Sequence, residues 1–153
     1  MKKTKEALHR IVWILRMHKI PFQITGGFAA NIYWSKRPLA DIDIDLPDKY
    51  IFDILPEVKT YVIYWPKHYK DWTFDMLLVT LKYKWQEIDL GWCSDEQIYD
   101  KKHKHRENLQ AHFSKVTRKK ILGLVLPIIP KEELIRYKSK NLEHVDDVAA
   151  ISK

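Results

Sequence analysis

The chain has 153 residues, enough for one domain whose core removes about two-thirds of the unfolded surface from water. It is 46% hydrophobic and 31% charged, which excludes a disordered or fibrous chain, and no stretch approaches the ~18–20 uncharged apolar residues of a membrane span. The net charge of +7 favours anionic partners such as nucleic acid or nucleotides.

The single cysteine, Cys93, excludes a disulfide within the chain and fits a reducing compartment. The basic start carries an apolar run broken by Arg16, His18 and Lys19, with no small-residue cleavage site after it. No signal peptide is read, and a cytoplasmic protein is expected.

Residues 4–18 predict an amphipathic helix, with Leu8, Ile11, Val12 and Leu15 on one face and Thr4 as its N-cap. Pro21 ends the pattern, and residues 22–25 predict the first strand. Gly26 and Gly27 then turn the chain into a second helix over 28–35. Glycines permit unusual dihedrals and let a ligand approach the backbone, and a helix start offers amides to an anion such as a triphosphate. No dinucleotide or P-loop glycine signature is present.

Thirteen residues separate Gly27 from Asp41-Ile42-Asp43-Ile44-Asp45-Leu46. Strand side chains alternate faces, so the three acids share one side and the apolar residues the other. The apolar side packs into a core. The acidic side needs another explanation, since two carboxylates ~4 Å apart repel by roughly 4 kcal/mol at an effective dielectric of about 20. A divalent cation bound through oxygen is the simplest source of compensation. An EF-hand is excluded, because Leu46 stands where the loop needs Gly and Phe52 where it needs Glu.

Asp48 predicts a cap for a helix over 48–55 that stops before Pro56. Strands are predicted at 61–64, 73–82 and 85–90, the last two joined by a hairpin. In the third, Glu87 and Asp89 share a face, and either supplies a third acid to the aspartate pair. Residues 94–112 predict a helix at their start, with Ser94 and Gln97 as a capping box. Residues 101–106 are a basic run suited to an RNA backbone, and His103 and His105 lack the partners of a zinc site. Residues 115–126 predict one strand, followed by helices from Lys131 and over 143–151. Six tryptophans and eight tyrosines supply base-stacking surface or packing.

A strand ending in Gly26-Gly27, a short helix, then Arg37-x-x-x-Asp41-Ile42-Asp43 resembles the nucleotidyltransferase superfamily, the fold of the DNA polymerase β palm. Ile129-Pro130, Leu134-Ile135, Lys138 and Asp146-Asp147 are similar to the C-terminal helices of its small bacterial and archaeal members, some of them toxin halves of toxin–antitoxin pairs. Leu39 departs from the Thr that such proteins often carry.

The resemblance implies an α+β domain over residues 1–153, a mixed twisted sheet flanked by helices. It implies a Mg²⁺-dependent enzyme that moves a nucleoside monophosphate from an NTP such as ATP to an acceptor hydroxyl. Asp41 and Asp43 would bind metal. Asp89 would bind metal and take the proton of the attacking hydroxyl. Gly26, Gly27, Arg37 and Lys138 would contact the nucleotide, while Asp45 is expected to be an exposed spare. The acceptor would be RNA (tRNA included), a protein or a small molecule, an antitoxin protein is an implied partner, and no membrane partner is expected. The alternative is a non-catalytic nucleotide- or RNA-binding module of the same fold.

Overall fold

The computed structural model describes residues 2–33, 41–47, 50–70, 74–92, 97–100, 105–108 and 116–138. Arg37, Leu39, Asp48, Cys93, Ser94, residues 101–104, the predicted helix 143–151 and Asp146-Asp147 lie outside the described residues.

Helix α1 (Lys2–Met17) buries Ala7, Leu8, Ile11, Val12, Ile14 and Leu15 on one side, as its apolar spacing requires. Thr4 is not its cap. The helix starts two residues earlier, and the buried Thr4 hydroxyl donates to Gln86 Oε1 at 2.7 Å. The helix ends where Lys19 turns left-handed (φ 55°), with Lys19 N–H bonded to Arg16 O and Ile20 N–H to Leu15 O. These two bonds close the last turn and satisfy its carbonyls.

Strand β1 (Gln23–Ile24) leads into α2 (Gly26–Ile32), then β2 (Asp41–Leu46) and α3 (Ile51–Val58). Helix α3 does not stop before Pro56 but runs two residues past it. Strands β3 (Val62–Lys70), β4 (Phe74–Tyr83) and β5 (Gln86–Trp92) follow. The β3–β4 register shifts on both sides of Tyr64, ahead of Lys67, so irregular pairing accommodates Pro66, which has no ladder N–H.

Two sequence expectations fail next. Of residues 94–112, expected to begin as a helix, the described parts are strands β6 (Gln97–Asp100) and β7 (His105–Asn108). Strand β4 is longer than β5 and leaves Phe74 and Asp75 free to pair with Ile98 and Gln97, so sheet extension overrides the capping signal. Residues 115–126 are not one strand but the hairpin of β8 (Thr117–Ile121) and β9 (Leu124–Ile128). Leu122 and Gly123 form its turn with φ of 49° and 88°, a two-residue geometry that glycine makes accessible. Helix α4 (Lys131–Lys138) packs beside α2.

Among the described residues the nine strands form one mixed sheet, ordered β7-β6-β4-β5-β2-β1-β9-β8, with β3 on the other edge of β4. The pairs β2–β5 and β1–β9 are parallel and the rest antiparallel. Register fixes the faces: Ile42, Ile88 and Leu81 align across three strands, as do Ile44, Leu90 and Val79. All six are buried in the core with α1 and α3. The residues between them, the acids, therefore stand on the opposite face. Among the described residues no helix is long and apolar enough to cross a membrane.

Candidate active site

The parallel register of β2 and β5 pairs Asp41 with Glu87 and Asp43 with Asp89. Strand β4 continues both rows, with Lys82 opposite Glu87 and Thr80 opposite Asp89. One carboxylate oxygen each from Asp41, Asp43 and Asp89 lies within 4.8 Å of the others, and all three residues are half-buried. Glu87 stands beside Asp41 on the same face. The local cause is plain: alternating Asp and Ile force one face of β2 inward and leave the other lined with acid.

Gly26 and Gly27 hold Asp43 in place. The Gly27 N–H donates to Asp43 Oδ2 at 3.0 Å, and the Thr25 N–H donates to the Asp43 backbone carbonyl at 3.0 Å. Gly26 has φ +60°, and a Cβ there would come 2.5 Å from Asp43 Oδ2. The glycine corner thus first serves the aspartate, since the Gly27 amide is engaged by a carboxylate.

Thr80, which the sequence did not single out, donates its hydroxyl to Asp89 Oδ1 at 2.7 Å. The hairpin pattern was a signal, but Thr80 opposes Asp89 only when Lys84 and Trp85 make the turn, a register the sequence did not fix. Asp45, expected to be exposed, is instead buried at 6% exposure beside Gln23 of β1. Lys138 is the last residue of α4, and its side chain lies outside the described residues, as does Arg37.

The electrostatics are those of crowded acids. Burial and the neighbouring Asp89 charge raise the Asp41 carboxyl above the ordinary carboxylate range. Burial likewise raises Asp89, against the lowering pull of the Thr80 hydroxyl. Burial and Asp41 raise Glu87, with Lys82 opposing. A set of oxygen donors that repel one another and face solvent in part suits a hard divalent cation such as Mg²⁺.

No protein-family model matches the chain, and no curated protein matches it. Solved structures do match. An inferred nucleotidyltransferase from Thermotoga maritima superposes with a TM-score of 0.68 over 96% of this chain and 89% of that one, at 14% identity. Lincomycin-bound LnuA, a lincosamide antibiotic adenylyltransferase, superposes with a TM-score of 0.61 over 97% of this chain and 96% of its own, at 15% identity. ANT(2'')-Ia in complex with adenylyl-2"-tobramycin gives 0.58 over 97% and 87%, also at 15% identity. The chain therefore has the fold of the nucleotidyltransferase superfamily.

Proposed function

We propose that this protein is a metal-dependent nucleotidyltransferase that moves a nucleoside monophosphate from an NTP to an acceptor hydroxyl. The observation that carries the reading is the convergence of Asp41, Asp43 and Asp89 from two parallel strands, with carboxylate oxygens within 4.8 Å. Fold likeness to adenylyltransferases supports the same class of reaction.

Mg²⁺ held by Asp41, Asp43 and Asp89 would neutralise charge developing on phosphate oxygens, a contribution no side chain among these acids can make. The chain's own residues do the rest. Gly27 fixes the Asp43 carboxylate through its N–H, so its orientation is set before substrate arrives. Thr80 fixes one oxygen of Asp89. Asp89 accepts the proton of the attacking hydroxyl. The hydroxyl oxygen then bonds to the α-phosphorus, the bond to the bridging oxygen breaks, and pyrophosphate leaves with that electron pair. Arg37 and Lys138 are assigned to the triphosphate on family resemblance.

The net charge of +7 favours an RNA acceptor. The fold neighbours LnuA and ANT(2'')-Ia, crystallised with lincomycin and adenylylated tobramycin, favour a small hydroxylated acceptor as the second reading. The test is incubation with α-labelled NTPs and Mg²⁺, supplying cellular RNA, a lincosamide or an aminoglycoside in parallel. Label transfer to RNA that disappears in Asp43→Asn supports the proposal. Transfer to an antibiotic alone replaces the acceptor. Transfer undiminished in Asp43→Asn removes the site.

A further inference from the structure

The acids end at Asp41 and Glu87, but the face they occupy continues to the tip of the β4–β5 hairpin. Tyr83 pairs with Gln86, so Lys84 and Trp85 are the two turn residues. Both have positive φ, 47° and 71°. That geometry suits Asn-Gly, and a bulky residue there is a backbone outlier under strain. Nothing in the core offsets this, because Trp85 is 79% exposed.

The strained tryptophan faces a definite direction. Lys82 aligns with Glu87 and Asp41 in one row, so its side chain rises from the acid face. Its Nζ lies 5.2 Å from the Trp85 ring centroid. The indole therefore belongs to the same face as the acids, about 13 Å along β5 from Asp89 at ~3.3 Å per residue. Lys84, paired with Glu6 of α1 at 3.1 Å, leans toward the core face instead, so Lys82 is the cation beside the ring. Gly26 and Gly27 contact Asp43 at the other side of the acid row, so the two corners of the site are separated by the acids.

An exposed aromatic ring with a lysine beside it is a composition that binds single-stranded nucleic acid, where bases stack and phosphates meet cations. Resting on the transfer reading above, we infer that Trp85 and Lys82 form a stacking platform for the acceptor, a single-stranded RNA end. A base packs on the Trp85 ring, its phosphate lies near Lys82, and the terminal hydroxyl reaches Asp89. Trp85 is thus a specificity-determining residue that touches the acceptor and leaves the nucleotide corner alone.

The test uses the full chain and a fluorescein-labelled single-stranded oligoribonucleotide, with binding read by anisotropy in the absence of NTP. Trp85→Gly removes the ring and relieves the backbone, so folding is retained, and it is expected to weaken RNA binding by about tenfold or more. Trp85→Phe keeps a stacking face and is expected to stay within about threefold of wild type. The thermal shift produced by Mg²⁺·ATP is expected to be the same in wild type and Trp85→Gly. Wild-type protein that does not bind the oligonucleotide overturns the inference. So does Trp85→Gly binding as tightly as wild type, or Trp85→Phe losing as much as Trp85→Gly. Binding through Trp85 in a protein that gains nothing from Mg²⁺·ATP overturns the transfer reading alone.

Discussion

Gly26 and Asp43 are in contact across the turn from β1 into α2, so closely that a single added carbon at Gly26 would sit 2.5 Å from Asp43 Oδ2. The contact joins the two halves of the sequence motif into one object. The glycine is required by the aspartate's carboxylate, and the aspartate's orientation is required by the chemistry proposed for it.

Gly26→Ala is accordingly expected to displace Asp43. The left-handed backbone (φ +60°) adds about 1–2 kcal/mol of strain for any residue with a Cβ. Transfer activity should fall on the order of 100-fold, the cost of about 1 Å of misplacement in a positioned group. A steady-state assay together with a thermal melt measures both effects.

Thr80→Val keeps the shape of the side chain and removes its hydroxyl from Asp89 Oδ1. Partners of this kind are worth about 10–100-fold in activity or metal affinity. The expected result is a loss of that size in kcat with the KM for NTP little changed. A pH profile should show the essential base titrating higher than in wild type, because the hydroxyl lowers the Asp89 pKa.

The three raised carboxyls, Asp41, Glu87 and Asp89, make stability depend on pH. Each holds its proton more tightly folded than unfolded. Their contribution is fully present below the ordinary values of 3.8 for Asp and 4.5 for Glu, and is lost as pH rises through the raised ones. Without divalent cation the melting temperature should therefore fall over that window, and Mg²⁺ should restore it near neutrality. Asp89→Asn should melt higher than wild type in EDTA at pH 7 and gain less from Mg²⁺. Calorimetric scans across pH, with and without Mg²⁺, check this.

Thr4→Val tests a contact far from the acids in sequence. It removes the hydroxyl that donates to the buried Gln86 Oε1. A loss of about 1–3 kcal/mol in stability is expected by denaturant titration. Gln86 begins the strand that carries Glu87 and Asp89, yet its side chain belongs to the opposite side, so activity at low temperature should persist.

The elements that the sequence displayed most openly were those with a strong period. Helix α1 repeats its apolar residues from Ala7 to Leu15, and β2 alternates acid and aliphatic residue without a break. The pairing of Asp43 with Asp89 was not legible, since register between strands 40 residues apart depends on the whole sheet. Thr80 was hidden because its partner depends on which two residues make the β4–β5 turn. The β6–β7 hairpin was misread because local capping residues pointed to a helix while the free edge of β4 offered a ladder. The β8–β9 turn was missed because Leu122 is a poor turn residue and only Gly123 marked the reversal. Asp45 looked like its neighbours in the alternation, but β1 covers its end of β2. The strain at Trp85 had no sequence signature, because Lys-Trp is not a turn dipeptide.

Binding of Mn²⁺, a paramagnetic substitute for Mg²⁺, tests the carboxylate centre most directly. Titration followed by electron paramagnetic resonance in the presence of a non-hydrolysable NTP should show saturable binding to wild type. Asp43→Asn and Asp89→Asn should each weaken it at least tenfold while the fold is retained. Mn²⁺ affinity that is the same in wild type and both variants would contradict the account, because the acids would then be a solvated strand face and nothing more.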